Sequence, residues 1–456
     1  MEINYRIMTA NTKNEPNDDT DDQPPQHRSQ TATRRAMLTG AAAIGSTALL
    51  GNASGGLAHL AGSGGSQQAQ SGTNKSAAQD KKTPDITVLN YALTLEHLEY
   101  AFYRDGLKEF SDDELKEAKA LDGFGETVRR EVPEYLAEIR DNEKAHVDAI
   151  TKTVKDLGGE PVSEAEYTFG YESPSKFLAT GKALENTGVA AYAGAAPDIV
   201  SNAVLEAALS IHTVEARHAS FLNLVNTSSP FPNAFDKAKS MDEVLEIAGQ
   251  FIAASGEDNS TKDKKNGESN KKKQTPERKT DDGTSDLDVL NYALTLEHLE
   301  YAFYRDGLKE FSDDELENAV FCRFGDKEVI STVPSRLGAI RDHEKAHVDT
   351  ITETVKKLGG KPVSEAKYDF GYETPAEFLG VAQALENTGV AAYLGAGPAV
   401  SNDKVFKAAA SIQSVEARHA GFLNELNSEL PFPKGFDEAK SMKEVTEIAG
   451  QFIVEQ

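Results

Sequence analysis

The sequence predicts an all-α protein made of two tandem four-helix bundles. Three observations support this fold class: helical periodicity with recognisable caps, little alternating strand pattern, and an internal repeat that spans most of the 456 residues. The repeat is direct, because Leu89–Leu115 recurs unchanged at Leu290–Leu316, an offset of 201 residues. Two copies of one domain therefore account for the architecture, whereas a solenoid needs three or more short repeats.

Each copy is expected to contain four long helices and one short terminal helix. Pro133 suits the first turn of the second helix, and Ser173-Pro174 supplies a cap and a first-turn proline for the third. Ser240 and Glu243 form a capping box at the short helix. The expected long helices of the first copy are about Asp85–Glu109, Pro133–Gly158, Ser173–Ala195 and Ser201–Asn226.

The connection between the second and third helices, about residues 160–172, carries no helix signal. Fully extended it reaches roughly 40 Å, against roughly 37 Å for a helix of about 25 residues. The connection can therefore carry the chain from one end of the bundle to the other. A four-helix bundle with one long crossover is the ferritin-like layout.

Composition excludes several kinds of site and partner. A single cysteine rules out an intramolecular disulfide, a four-cysteine zinc site and a cysteine-ligated iron–sulfur cluster. The formal net charge of −26 argues against nucleic acid or an anionic membrane as the main partner. The same acidic balance suits a protein that stays soluble at high salt.

The first residues resemble an export signal. Residues 1–35 read as a disordered segment ending in the twin arginine Arg34-Arg35, and residues 36–51 form a short apolar run. Such a run is too short for a comfortable membrane span, and this combination is typical of export through the Tat translocase. We therefore expect an extracellular or cell-surface protein.

The remaining boundaries follow from composition. Residues 52–84 read as a flexible tether and residues 254–285 as a charged linker, since both are rich in Gly, Ser and Lys. Two domains are left, residues 85–253 and 286–456. A linker of this length lets the domains lie side by side, and we expect an intrachain pseudo-dimer.

Carboxylates and imidazoles recur at helical spacing in each copy. Two helices carry a Glu-x-x-His pair, whose members share one helix face and can reach one metal ion. The other two helices each place one Glu on an otherwise apolar face. Two single glutamates plus two such pairs form the ligand inventory of a dinuclear carboxylate site. The predicted ligands are Glu96, Glu143, His146, Glu185, Glu215 and His218, and in the second copy Glu297, Glu344, His347, Glu386, Glu416 and His419.

The alternative is that these acids and histidines form salt bridges on exposed faces. Four carboxylates facing one bundle core without cations would each cost several kcal/mol or would have to bind protons. Two divalent ions would neutralise them, and oxygen and imidazole ligands suit Fe or Mn without separating the two. The sequence therefore predicts two Fe or Mn ions in each domain.

Some neighbouring residues have open roles. Glu99 and Glu300 lie one turn from Glu96 and Glu297, and each is either a further ligand or an acid that supports the ligands. A tyrosine follows each single glutamate by two turns, on the same helix face. These tyrosines, which are either core aromatics or hydrogen-bond donors to the ligands, are Tyr103, Tyr192, Tyr304 and Tyr393.

Three segments carry a resemblance to a known family: Leu95–Tyr103, Ala183–Tyr192 and Val214–His218. They are similar to the ferritin-like domain family that includes the plant desiccation-related proteins and exported proteins of bacteria and haloarchaea. The resemblance implies a di-iron or di-manganese site at the positions already named. Together with the acidic composition and the export signal, the chain resembles a halophilic archaeal member.

Two functions remain open at this point. An oxidoreductase would use paired ions to react with dioxygen or peroxide, as a ferroxidase or a catalase-like or peroxidase-like enzyme. A non-enzymatic protein would instead bind metal to brace the bundle and would protect against desiccation or salt stress. The sequence does not identify catalytic groups or decide between these two.

Overall fold

The structure is a computed structural model that describes residues 75–253, 283–325 and 327–455. The predicted export signal at residues 1–51 lies outside the described residues, as do much of the tether and most of the linker. The described chain is mostly helical and forms two tandem bundles, which confirms the predicted fold class. None of the helices in these ranges is both long and apolar enough to cross a membrane.

The helices of the first domain follow the expected order with two differences in their starts. The long helices are α1 (Lys75–Glu109), α3 (Glu126–Asp156), α4 (Pro174–Ala195) and α5 (Asn202–Val225), and the short ones are α2 (Asp112–Lys116) and α6 (Met241–Ala248). Helix α1 packs against α3, and α4 packs against α5. The predicted caps at Ser173 and at Ser240 with Glu243 are confirmed.

The second domain repeats this arrangement. Its long helices are α7 (Asp286–Glu310), α10 (Val333–Lys357), α11 (Pro375–Ala396) and α12 (Asp403–Leu426), and its short ones are α8 (Asp313–Phe324), α9 (Lys327–Ile330) and α13 (Met442–Ala449). Two short strands, β1 (Lys367–Tyr368) and β2 (Ile453–Glu455), pair antiparallel and fasten the chain end to the crossover.

The prediction that Pro133 opens a helix is wrong for the first domain. Helix α3 begins at Glu126, so Pro133 lies inside it, whereas Pro334 of the second domain does occupy the first turn of α10. The additional turns of α3 bury Val128 and Val132. This apolar burial offsets the hydrogen bond that an internal proline removes.

Helix α1 also begins earlier than expected, at Lys75 rather than near Asp85. The first residues of α1 are mainly Lys, Ala, Gln and Asp, and the first three of these have high helix propensity. The helix therefore includes the last part of the segment that was expected to be a tether.

The crossovers pack on the outside of the bundles. In the first domain the chain between α3 and α4 runs along the outside, where the Tyr171 hydroxyl donates to the Phe102 carbonyl at 2.6 Å. His97, next to a predicted ligand, lies 3.3 Å from the Val162 carbonyl of this crossover through Nε2. This position keeps its imidazole on the surface side of α1, away from the bundle core.

The two domains contact each other through α5 and α12. Small side chains form the apolar part of this contact: Val189, Ala216, Ala219, Val390, Ala417 and Ala420. Across it, the Ser220 hydroxyl donates to the Arg418 carbonyl at 2.8 Å. Arg323 of the second domain adds an ion pair to Glu131 of the first, with 2.6 Å between Nη1 and Oε2.

Close packing inside each bundle predicts the effect of adding a single methyl group. A Cβ at Gly106 would lie 2.2 Å from Cε2 of Phe177, a buried ring that is packed against the rings of Phe102 and Tyr171. Gly106→Ala should therefore destabilise the first domain by about 1–3 kcal/mol. Calorimetry on the whole chain would detect this as a lower unfolding temperature.

Gly338→Ala is the matched control, because a Cβ at this helical position meets nothing within 4 Å. This substitution should leave the protein equally stable or raise its stability by about 0.5–1 kcal/mol. Equal destabilisation by both substitutions would contradict the packing described here.

Candidate metal centre

Four helices deliver acidic and imidazole side chains to the centre of the first bundle. Glu96 comes from α1 and Glu185 from α4, while α3 and α5 supply the two Glu-x-x-His pairs. Because the members of each pair are three residues apart, both side chains of a pair project from one helix face. All six side chains are 0 % exposed, as are their six counterparts in the second bundle.

The six residues of the first bundle form two overlapping groups. One contains Glu96, Glu143, His146 and Glu215, and the other contains Glu143, Glu185, Glu215 and His218. Within each group one potential ligand atom per residue lies within 4.8 Å of all the others. Glu143 and Glu215 belong to both groups, an arrangement that two adjacent cations sharing two carboxylates would require.

The second bundle contains the same pair of groups. They are Glu297, Glu344, His347 and Glu416, and Glu344, Glu386, Glu416 and His419. The structure therefore brings the twelve predicted ligands together as two clusters, with six residues in each bundle. Whether they bind metal stays a prediction, which the following contacts support.

The histidines turn the same ring nitrogen toward the carboxylates. Nδ1 of His146 lies 3.1 Å from Glu96 Oε2 and 3.3 Å from both Glu143 Oε2 and Glu215 Oε1. Nδ1 of His218 lies 3.0 Å from Glu143 Oε1 and 3.3 Å from Glu185 Oε2. The side chains thus converge on common points.

Despite these short distances, several buried atoms of the cluster make no hydrogen bond of good geometry among the described residues. They are Glu143 Oε1, Glu185 Oε2, both carboxylate oxygens of Glu215 and Nδ1 of His218. Unpaired carboxylate oxygens in an apolar core cost several kcal/mol each unless a cation or a proton compensates them. Four carboxylates and two neutral imidazoles match the charge and the donor preference of two divalent Fe or Mn ions.

The tyrosines whose role the sequence left open hydrogen-bond the acidic cluster. Tyr103 donates to Glu185 Oε1 at 2.6 Å, and Tyr192 donates to Glu96 Oε1. Tyr304 and Tyr393 repeat these bonds to Glu386 and Glu297. Each bond occupies one oxygen of a single glutamate, so that the other oxygen faces the histidine of its group.

Glu99 lies beside the cluster but is in neither group. It is 2 % exposed, and its Oε2 has no hydrogen-bond partner in the described chain. A Cβ at Gly188 would lie 3.0 Å from Glu99 Oε1 and 2.9 Å from Glu215 Oε2. The glycine therefore makes room for both carboxyl groups. Glu300 and Gly389 have the same relation in the second domain.

Burial governs the proton affinity of the carboxyl groups in the metal-free cluster. Burial raises the pKa of Glu96 to about 7 even though His146 opposes it. Burial and the neighbouring carboxylates raise the pKa values of Glu99 and Glu215 well above 4.5. Burial also acts on Glu143, but His146 and His218 outweigh it and hold the pKa of that carboxyl below its usual value.

The imidazoles respond in the opposite sense. Burial alone would lower the pKa of His218, but Glu185 and Glu143 outweigh it and raise that pKa to about 9. Glu96 and Glu143 likewise raise the pKa of His146 well above 6.5 against the effect of burial. At neutral pH the metal-free cluster therefore holds several protons, which binding of cations would release.

Sequence reasoning missed the part of each centre that comes from the other domain. His146 Nε2 donates to the Gly435 carbonyl at 2.7 Å, and His347 Nε2 donates to the Ala234 carbonyl at 2.7 Å. Both carbonyls lie in loops that follow the last long helix of a domain. The available signal was a pair of phenylalanines, Phe231 and Phe235, in a connection without helical periodicity.

The two centres differ at one neighbouring position. His343 Nδ1 lies 3.1 Å from His419 Nε2 in the second domain, where the first domain has Asn142 Nδ2 at 3.2 Å from His218 Nε2. Burial and His419 lower the pKa of His343 to about 3. His343 is therefore neutral and can accept a hydrogen bond from the His419 ring.

The raised pKa values predict that the metal-free protein loses stability as the pH rises from about 5 to about 9. Folding raises the pKa of Glu96 to about 7 and that of His218 to about 9, so the folded state binds more protons than the unfolded state in this window. Stability then falls with rising pH. Thermal unfolding in the presence of a chelator, followed by circular dichroism, measures this trend.

Glu96→Gln combined with Glu297→Gln provides the control, because a neutral isostere removes one titrating carboxyl from each domain. The double variant should show a smaller decrease of the unfolding midpoint over the same pH range. A midpoint that rises between pH 5 and 9 in the unsubstituted, metal-free protein would contradict the assigned directions.

Comparison with known proteins agrees with this geometry. The ferritin-like domain model matches residues 84–228 and again residues 285–429, and these segments include all twelve residues of the four groups. No curated protein matches the sequence. The buried carboxylate and histidine clusters therefore lie in two separate copies of one recognised domain, and the chain belongs to the ferritin-like domain family.

Proposed function

We propose that the protein is a dimetal oxidoreductase that holds two Fe or Mn ions in each domain and reacts with dioxygen or peroxide. The observation that carries this proposal is the pair of overlapping groups that share Glu143 and Glu215. A structural cation needs one closed set of ligands, whereas a shared pair of carboxylates suits two adjacent ions. When bound, redox-active Fe or Mn ions would supply electron exchange with a small oxidant.

The protein's own side chains have distinct roles in this proposal. Glu96 with His146 and Glu185 with His218 would each hold one ion, and the shared carboxylates would bind both. Tyr192 and Tyr103 fix the orientations of the two unshared glutamates through hydrogen bonds. Glu99, whose carboxyl group lies beside Glu215 and outside both groups, would hold or move a proton close to the ligands.

An apolar cavity beside each cluster supports the proposal that the substrate is a small oxidant. In the first domain Leu95, Ala191 and Tyr192 are among its lining residues, and the hydroxyl of this tyrosine donates to Glu96. The corresponding cavity of the second domain is lined in part by Leu296 and Tyr393. An apolar cavity next to a polar, buried centre favours dioxygen over a charged substrate.

Export and habitat belong to the same proposal. The twin arginine Arg34-Arg35 before the apolar run 36–51 supports export of the folded, metal-loaded protein through the Tat translocase to the cell surface or medium. The net charge of −26 supports a halophilic source.

Replacing both arginines by lysine should retain the protein inside the cell, and unchanged export would contradict the assignment.

Turnover separates the enzyme from a protein that only binds metal. Protein loaded anaerobically with Fe²⁺ or Mn²⁺ should consume dioxygen or peroxide over many cycles when a reductant is supplied. A quadruple variant with Glu143, Glu215, Glu344 and Glu416 replaced by alanine should have no such activity. Full metal loading without turnover would instead support the non-enzymatic, stress-protective function.

Removing the shared carboxylates of one domain should empty that domain alone. The double substitution Glu143→Ala with Glu215→Ala should lower the metal content from about four to about two ions per chain, because both groups of the first domain lose two ligands. Plasma mass spectrometry on the purified chain measures the ratio. An unchanged metal content would show that the ions bind elsewhere.

A further inference from the structure

Two loops cross from one domain to the other. We define cap loop 1 as residues 227–240, which follow α5, and cap loop 2 as residues 428–441, which follow α12. Both lie almost entirely beyond the segments matched by the ferritin-like domain, which end at residues 228 and 429. Their contacts are therefore a feature of this chain that the family match does not describe.

Cap loop 1 covers the centre of the second domain. The Ala234 carbonyl accepts a hydrogen bond from His347 Nε2 at 2.7 Å. The ring of Phe235 meets that of His347 with 5.3 Å between centroids, and the ring of Phe231 meets that of His419 at 4.8 Å. Both imidazoles of the second centre are thus held by residues of the first domain.

Cap loop 2 makes the reciprocal contacts on the first domain. The Gly435 carbonyl accepts a hydrogen bond from His146 Nε2 at 2.7 Å, and the Phe436 ring lies 5.3 Å from the His146 ring. The Phe432 ring lies 4.8 Å from the His218 ring. These distances equal those of cap loop 1 on the second domain, so the two cap loops make symmetric contacts with the opposite domains.

Each cap loop is anchored on the helix that carries a Glu-x-x-His pair of the other domain. Arg418, which precedes His419, donates from Nε to Asp236 Oδ2 at 2.7 Å, and the Ser411 hydroxyl donates to the Asp236 carbonyl at 2.6 Å. Arg418 is only 2 % exposed, so solvent weakens this ion pair little.

The same anchor holds cap loop 2 on the first domain. Arg217 donates from Nε to Asp437 Oδ2 at 2.8 Å, and the Ser210 hydroxyl donates to the Asp437 carbonyl at 2.7 Å. Arg217 precedes His218 in the chain and is also 2 % exposed.

The backbone carbonyls determine which ring nitrogen is free. A carbonyl oxygen only accepts hydrogen bonds, so His146 and His347 must carry a proton on Nε2. In the neutral ring the lone pair then lies on Nδ1, the nitrogen that faces the carboxylates. A partner of this kind orients a ligating histidine and typically accounts for a factor of about 10–100 in metal affinity.

We propose that each metal centre is completed in trans by the cap loop of the other domain, with Asp236 and Asp437 as positioning residues. The inference rests on the proposed metal site and adds that neither domain orients both of its histidine ligands by itself, because Nε2 of His146 and of His347 finds its partner in the other domain. The duplicated chain, with both domains present, is then the smallest unit that binds metal tightly.

The test measures one centre at a time in the full chain. In one background, Glu143→Ala with Glu215→Ala leaves only the second centre; in the other, Glu344→Ala with Glu416→Ala leaves only the first. Asp236→Asn is then added to each, and Co²⁺ is titrated into the metal-free protein while its visible absorption is followed. This absorption reports both the affinity and the coordination of the ion.

We expect a crossed pattern. Asp236→Asn should weaken Co²⁺ binding about 10-fold or more at the second centre and change its absorption spectrum, while binding at the first centre changes less than about twofold. Asp437→Asn should do the reverse. A general loss of stability would affect both centres alike, so it cannot produce this pattern.

Other outcomes overturn the inference. Weaker binding only in the domain that carries the substitution, or equal effects on both centres, would show that the cap loops do not act in trans. Absence of Co²⁺ binding in the unsubstituted chain would overturn the proposed metal site as well. If Asp236→Asn prevents folding, Phe235→Leu, which keeps an apolar side chain over His347, should give the same crossed pattern in milder form.

Discussion

Burial of a charged cluster in an apolar bundle is the constraint on which the structure of each domain depends. Glu96, Glu143, Glu185 and Glu215 are fully buried, and burial raises the pKa values of the first and last of these. Protons compensate this charge in the metal-free state, and cations would compensate it more completely. The surrounding hydrogen bonds, small residues and loops all serve to hold these carboxyl groups in place.

The neighbours of the cluster follow from this constraint. Tyr103 and Tyr192 satisfy one oxygen of a buried glutamate each, and Gly188 leaves space where a Cβ would meet two carboxyl groups. The histidines of the cluster also need a hydrogen-bond partner that fixes the orientation of the imidazole ring. For Nε2 of His146 that partner is the Gly435 carbonyl of the other domain. Interdomain contact and the order of the ligands are thus linked.

Local patterns in the sequence predicted most of the helices and the composition of the cluster. The capping box at Ser240 and the shared faces of the Glu-x-x-His pairs depend on residues a few positions apart, which a sequence displays directly. The start of α3 was mispredicted because burial of Val132 and its neighbours overrode the preference of Pro133 for a first turn.

Contacts between distant residues could not be predicted in the same way. His146 and Gly435 are 289 positions apart, and nothing in the local pattern of either residue indicates the other. The role of Glu99 was also undecided, because its distance from the groups depends on how closely α1 and α4 approach at Gly188. Such features depend on packing geometry, which periodicity and composition do not determine.

Anomalous X-ray diffraction from crystals of the metal-loaded chain, recorded at the Fe and Mn edges, tests the central claim most directly. The account predicts two peaks in each bundle, with Glu143 and Glu215 contacting both peaks of the first and Glu344 and Glu416 both peaks of the second. A bundle core without any peak after anaerobic loading, or peaks located only on the acidic surface, would contradict it.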